Sequence, residues 1–488
     1  MSKYKHGMAT SRKATKGLKT IASNSIVQLV IGTAPVNTLE DPYDAVNKPI
    51  VLEEKEEVED YIGVTASVEK YTIMHAVHAS FNKHAVAPLI VINVLNPANP
   101  AHTEAVADKE YPVKKFTAKI MEEGILLDKL VVSDGTDEYK VDIDYVASFD
   151  SNGYLVISIA DDGAAKDADT IHVSYTRINP ENVTEDDIIG GVTKNGVRSG
   201  VEVFDMVYPE TEYIPTLVTA PYYSKYPAVA AALEAKVQKI YSTFNAKAIL
   251  DIDCSEEGAD RVNKLADVRE KTVPYSRWCD ACWPMVKSDG MILAFSAFAS
   301  ALTQAVSEEN ADIPSESISN HDLKIDGICT ENGEAVLMTQ DDVNDYLNAI
   351  GVVGALKLPT WKAWGNNSTA YPKSKDPIDR WSNGVAMLNY LENRFKSDFL
   401  PRLDKNINYK MIQGIVNDFN ASMNALVPDY LAGGEIVFDK KKNPLNKIMD
   451  GKMRFSTRYA AYNPAEYIEN EFEYDITMLE TALEGGNE

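Results

Sequence analysis

The sequence predicts an α/β and α+β chain of several domains, its main α/β domain interrupted by an inserted antiparallel β-sandwich. Three observations lead there. Buried-strand runs such as IVQLVIGTA, VAPLIVINVL and KAILDID alternate with the helix-like VEKYTIMHAVHASFNK and VAAALEAKVQKIYSTF, as a sheet with crossover helices requires. Between residues 111 and 179 the short runs KFTAKI, DKLVVS, EYKVDIDYV, YLVISIA and TIHVSYT are separated by DGTD, DSNG and DDGAAKD. Short strands at spacings of roughly 12 residues are the pattern of a sandwich. Finally, 488 residues are too many for one core.

Composition narrows the function. With 45% hydrophobic and 25% charged residues the chain reads as globular, not disordered. A formal charge of -25 argues against a nucleic-acid binder, which needs a basic surface for phosphates. No apolar run reaches the roughly 18 residues of a membrane-spanning helix. The N-terminal MSKYKHGMATSRKATKGLKT is basic but has no apolar stretch of a secretion signal, so a cytoplasmic protein is expected. Four cysteines are too few for a disulfide scaffold.

Charge is concentrated at the two ends. Residues 1–39 hold six Lys or Arg, among them Lys13, Lys16 and Lys19, and no acid; residues 466–488 hold eight acids and no base. Such ends can be two solvated tails. The segment IENEFEYDIT, however, alternates strictly: Ile468, Phe472, Tyr474 and Ile476 share one face with Asn470, and Glu469, Glu471, Glu473 and Asp475 share the other. Period-2 alternation marks a strand with one buried face. The acidic end is therefore expected to pair with something, and the basic arm, with Ile21, Ile26 and Val27 behind its lysines, is the obvious opposite.

The last third opens on WKAWGNNSTAYPKSKDPIDRW, residues 361–381, which has neither helix nor strand period. It is too aromatic for a solvated linker, and Pro372 and Pro377 restrict its backbone. Trp361, Trp364, Gly365, Asn366, Tyr371 and Trp381 are expected to pin it as the joint between two domains. After it, YKMIQGIVNDFNASMNAL repeats apolar residues at helical spacing, and PDYLAGGEIVF and its successors read as strands and turns. Lys440, Lys441 and Lys442 form a basic cluster, either a solvated hairpin or a contact for an acidic surface.

Three groups could carry chemistry. Cys279 and Cys282 have the C-x-x-C spacing of a thioredoxin-type dithiol, so a thiol-disulfide oxidoreductase is the alternative function. That chemistry wants the first cysteine at a helix N-terminus after a buried strand, and VREKTVPYSR is not one. His75 and His78 share a helix face with His84 beyond, but no carboxylate or cysteine accompanies them to hold a metal. No G-x-S-x-G is present for a serine hydrolase. No enzyme and no cofactor are expected.

Eight stretches in order carry a resemblance: VIGTAPVN, DIIGG, ALEAKVQKIYSTFNAKAILDID, WPMV, PSESISN, DDVNDYLNAIGVV, the loop above, and NPLNKIMDGKMRF with NPAEYIENEFEYD. The chain resembles the tail sheath proteins of contractile bacteriophages and of phage-tail-like bacteriocins. Family members usually show a W-G-N-R-T-like core in the loop; this chain has Trp364, Gly365 and Asn366, then Asn367, Ser368 and Thr369.

The resemblance implies a subtilisin-like α/β domain without protease residues, an outward sandwich, an α+β C-terminal domain near a tube, and extended arms that complete a sheet on neighbours by β-strand exchange. It implies hexameric rings stacked around a tail tube, with baseplate and tail terminator proteins as further partners and no cofactor, nucleic acid or membrane insertion. The location implied is a virion tail or bacteriocin particle assembled in the bacterial cytoplasm. Sheaths of bacterial secretion machines are usually two chains, which disfavours them here. The expected division is an arm (1–28), α/β domain (29–104), sandwich (105–182), α/β domain resumed (183–350), C-terminal domain (351–466) and arm strand (467–488).

Overall fold

Strand β1 (Gln28–Gly32, QLVIG) is buried at all of its positions. Such uninterrupted apolar runs are what a sheet covered on both faces demands. The computed structural model describes residues 26–483. After β1 come β2 (Pro49–Leu52), helix α1 (Thr72–Val77) and β3 (Leu89–Asn93), the last again buried throughout.

The chain then leaves this sheet for β4 (Thr103–Pro112), β5 (Thr117–Ile120), β6 (Val131–Ser133), β7 (Tyr145–Phe149), β8 (Leu155–Ile159) and β9 (Thr170–Ile178). It returns through α2 (Glu185–Ile189) and the short hairpin β10 (Gly191–Val192) and β11 (Arg198–Ser199). The body resumes with β12 (Leu217–Thr219), α3 (Pro227–Val237), β13 (Lys247–Asp251), α4 (Leu265–Thr272) and β14 (Cys279–Cys282). Next are β15 (Met285–Ser288), β16 (Met291–Leu293), α5 (Phe295–Glu309), β17 (Gly327–Cys329) and the hairpin β18 (Gly354–Leu358) and β19 (Thr360–Trp364). The last elements are α6 (Ser382–Phe399), α7 (Tyr409–Asn424), β20 (Leu431–Val437), β21 (Ser456–Ala461) and α8 (Ile476–Leu483).

The main sheet has the order β14-β13-β12-β1-β3-β2, parallel except for β2. The insertion is two three-stranded sheets, β4-β9-β6 and β5-β8-β7. Alternation in β8 and β9 sends Leu155, Ile157, Ile171 and Val173 into a core separate from that of the body. Thr103 pairs with Ile178, so the two crossings into the insertion lie side by side. A third core joins Met387 and Leu391 of α6 to Phe419 and Met423 of α7 and to Leu431 and Ile436 of β20. The result is a mixed α/β chain with three hydrophobic cores among the described residues.

Four sequence readings change. Ile26 and Val27 are not part of a free arm; they are buried at the head of β1 in the body core, where apolar β-branched residues gain most from leaving water. Residues 352–363 pack into that same core through Val353, Ala355, Leu356 and Ala363, although sequence assigned them to the C-terminal domain. Residues 468–475 form no strand, because nothing among the described residues pairs with them. Ile476 begins α8, where Asp475 accepts from the Thr477 N–H at 2.9 Å and so caps its first turn. Ile21, Lys13, Lys16 and Lys19 lie outside the described residues.

Candidate assembly site

Trp361 and Trp364 stand on β19 and not in the loop. Their indole Nε1 atoms donate to the Asp326 carbonyl (2.9 Å) and to Asn344 Oδ1 (3.2 Å). The loop starts at Gly365, whose φ of +139° suits glycine, and a Cβ there would come within 2.6 Å of Asn348 Oδ1. Asn366, Asn367, Ser368, Thr369 and Ala370 are all buried.

Irregular backbone can be buried only if its polar groups find partners. The Thr369 N–H donates to the Cys279 carbonyl (2.8 Å) and its hydroxyl to the Ser276 carbonyl (2.8 Å). The Ser368 and Ser382 N–H groups donate to the carbonyls of Arg380 (2.7 Å) and Asn366 (2.9 Å). Two arginines clamp this strap. Arg269, 1% exposed, donates from Nε to the Ile350 carbonyl (3.0 Å) and from Nη2 to those of Thr369 (2.6 Å) and Tyr371 (3.4 Å). Its guanidinium carbon lies 3.7 Å from the Tyr275 ring centroid, and burial pulls its pKa down from the ordinary arginine value. Arg380 Nε donates to Asn367 Oδ1 (2.7 Å), and its guanidinium lies 4.0 Å from the Trp381 ring and 4.7 Å from that of Tyr371. Asn367, standing where the sheath pattern has arginine, thus accepts from an arginine supplied elsewhere.

Helix α6 follows the strap and docks on the body through amides. Asn393 accepts from the Asn245 N–H (2.9 Å) and donates to the Asn245 carbonyl (2.7 Å), while Asn389 donates to the Ala246 carbonyl (3.4 Å). At the first turn of α6, Lys247, 3% exposed, donates to Asp280 (2.7 Å) and to the Ser382 carbonyl (3.2 Å). Buried charge is tolerated here because it is paired and hydrogen-bonded. Sequence reasoning named none of Arg269, Arg380, Lys247, Asp280, Asn389 and Asn393 as site residues. The asparagines of α6 could have been found, since three of them fall on buried positions of an otherwise apolar stripe.

The C-terminal segment has the opposite character. Tyr467, Ile468, Phe472 and Tyr474 are exposed, Phe472 to 89%, with Glu471 and Glu473 exposed between them. It leaves directly from β21, which with β20 forms a two-stranded antiparallel sheet with unpaired outer edges among the described residues. Lys440, Lys441 and Lys442 are exposed in the turn after β20, and Lys442 donates to Ser456 Oγ (2.9 Å).

The groups considered for chemistry are built into cores. Cys279 and Cys282 are buried and free on β14, and residues three apart on a strand face opposite ways. Burial raises both thiols well above their usual pKa, the reverse of a reactive dithiol. His75, His78 and His84 are also buried, not at the surface. His75 Nδ1 accepts from the Ala294 N–H (3.2 Å), and burial lowers the pKa of His75 and His84 to about 4.

At the carboxyl ends of the parallel strands, where open α/β sheets commonly take ligands, polar side chains are bonded within the fold. Thr33 and Thr72 exchange hydrogen bonds from backbone N–H to hydroxyl (3.1 and 3.0 Å), and Asn93 Oδ1 accepts from the N–H groups of Ala34 (3.0 Å) and Leu95 (3.1 Å). Asp251, its pKa raised by burial, accepts from the Ser296 N–H (2.8 Å), the Ser296 hydroxyl (2.7 Å) and the Tyr222 N–H (3.0 Å). Among the described residues no helix is long and apolar enough to cross a membrane.

No family model matches the chain. The tail sheath protein of Burkholderia phage BcepMu is 24% identical over 504 residues, covering 99% of each chain. Among solved structures, a chain of the anti-feeding prophage baseplate superposes with a TM-score of 0.57 at 13% identity, covering 96% of this chain and 98% of that one. A chain of the PVC sheath complex, an extracellular contractile injection system in its contracted state, gives 0.57 at 11% identity, covering 97% and 100%. The anti-feeding prophage helical sheath in its contracted state gives 0.55 at 12% identity, covering 96% and 99%. These relatives are structural proteins and not enzymes. Along nearly its whole length the chain is similar to a phage tail sheath protein, and its fold is that of the subunits of contractile sheaths.

Proposed function

We propose that the chain is a contractile tail sheath subunit that stacks as hexameric rings around an inner tube, and that contraction of the stack drives the tube through a bacterial envelope. The observation that carries this reading is the exposed segment 467–475, whose alternating apolar side chains find no cover among the described residues. It adjoins a sheet with two open edges, and open edges recruit strands from other chains. The segment of one subunit and the basic N-terminal residues of another then complete the β20-β21 sheet of a neighbour. Backbone pairing and apolar burial hold that join, because exposed ion pairs add only about 0.2 to 1 kcal/mol each.

Further parts follow from the same reading. The tube, baseplate and tail terminator are the other partners, and the particle is a virion tail or tail-like bacteriocin assembled in the host cytoplasm. The body is taken as a subtilisin-like domain without protease residues, and the sandwich points outward. Arg269, Arg380 and the amides of α6 let body and C-terminal domain turn as one unit while the terminal segments stay joined to neighbours.

The test is electron microscopy of the purified chain beside truncations lacking residues 1–20 or 467–488. Rings or hollow tubes are expected from the full chain, and soluble monomers from each truncation. Tubes of normal form from either truncation would overturn the strand exchange.

A further inference from the structure

A groove of about 930 Å³ runs between the body and the C-terminal domain beside the strap. Its walls include Asn344, Asn348, Asn366 and Asn383, amides able both to donate to and to accept from a peptide backbone. Its rim carries Glu316, Asp341, Asp429 and Glu466 against Arg380 and His321. Arg380 is already paired with Glu466, so the remaining rim is acidic. Asn383 is 5% exposed; its Nδ2 donates to the carbonyls of Ser315 (2.8 Å) and Tyr462 (3.3 Å), and its Oδ1 has no hydrogen-bond partner. An unpaired buried acceptor is costly, so a donor that reaches it from the groove would be stabilised there.

The chain itself brings such donors to this place. Ile26, the first described residue, lines a cavity of about 50 Å³ that shares Glu316, Ser317, Gly365 and Asn383 with the groove. Residues 1–25 therefore join the body beside the groove. They include Lys3, Lys5, Arg12, Lys13, Lys16 and Lys19 and no acid, which is the charge the rim lacks. A chain of 25 residues reaches at most about 80 Å, ample for the groove.

We infer that the groove is a docking track for the basic N-terminal segment of the same chain, occupied before assembly and vacated when a neighbour takes that segment. The vacating step rests on the sheath reading; the docking does not. A second copy is the weaker occupant, because the root of the segment is already beside the groove and two chains of charge -25 repel each other.

The experiment is limited trypsin digestion of the full-length monomer, timing cleavage after Arg12, Lys13, Lys16 and Lys19. The comparison is the full-length variant Glu316→Gln/Asp341→Asn/Asp429→Asn, whose three changes are at exposed positions. Cleavage of the unaltered chain is expected to be about tenfold slower than in the variant at low salt, the sum expected of three exposed charge contacts. The difference should close at about 0.5 M salt and should not depend on protein concentration. Equal rates in both proteins would overturn the docking. Protection that grows with concentration would assign the groove to a second copy and overturn it as well. Because only monomer is digested, failure here leaves the sheath reading untouched, and that reading fails instead by absence of tubes.

Discussion

Arg269→Met isolates what the buried guanidinium does for the strap. Methionine keeps much of the stem's volume, so the change removes the donors without opening a large cavity. Two short bonds are lost, to the carbonyls of Ile350 and Thr369, together with the longer one to Tyr371. A hydrogen bond from a charged group contributes about 1.5–3 kcal/mol, so the two short ones together represent about 3–6 kcal/mol. Against this, the guanidinium is buried with no carboxylate partner and one nitrogen, Nη1, unbonded; its removal returns a desolvation cost of a few kcal/mol. The net expected loss is about 3 kcal/mol, felt locally and not as global unfolding, because the three cores are separate. The assay is amide hydrogen exchange at Ser368 and Thr369, whose N–H groups are held by the carbonyls of Arg380 in the strap and Cys279 on β14. Exchange should speed up by about 150-fold, since 1.4 kcal/mol is a factor of ten. Exchange at these amides within about threefold of the unaltered protein would refute the clamp, and would mean that the backbone pairing of the strap suffices.

Three other outcomes are expected. His75 and His84 are neutral in the folded chain with pKa values of about 4, below the usual 6.5, so the unfolded chain binds more protons between those values. Their stabilisation is complete above pH 6.5 and is lost as pH falls toward 4, about 3 kcal/mol per group at pH 4; a urea midpoint that stays flat from pH 7 to about 4.5 would contradict it. Replacing residues 104–177 by a short glycine linker should leave the body folded, because Thr103 and Ile178 are paired neighbours; an insoluble product, read by circular dichroism and sedimentation, would count against an independent insertion. Lys440→Glu/Lys441→Glu/Lys442→Glu should weaken tube binding or ring stacking with little change in monomer stability, and tails of normal length would dispose of that contact.

The body and the sandwich were readable because their signals are local. QLVIG, LIVIN and KAILD are continuous apolar runs, and TIHVSYT alternates, so burial on two faces or one is written in a handful of neighbouring residues. The third core was also legible through the stripe of α7. The joint was not. The loop announces itself by its aromatics, yet Trp361 and Trp364 belong to a hairpin, and the groups that hold the strap come from Arg269, Ser276 and Cys279, about 90 to 100 residues away. Such contacts depend on tertiary approach, which no period records. The C-terminal segment shows no strand for a related reason: a strand exists only with a partner, and none is found among the described residues.

The way Asn393 meets the body has one more consequence. Its amide touches the N–H and C=O of residue 245 and not the side chain, as one strand would greet another, and Asn389 reads the next carbonyl along. These three bonds gauge backbone position, while the Asn245 side chain is read separately by the same helix, its amide donating to Glu392 and its Oδ1 accepting from Lys396 Nζ (3.0 Å). Residue 246 is free to drift in evolution so far as these bonds are concerned, whereas gaining or losing a single residue between Phe244 and Lys247 would move every peptide group out of step with the helix. A joint that keeps count of residues in this way lets the sequence around it diverge while the angle between domains is inherited unchanged.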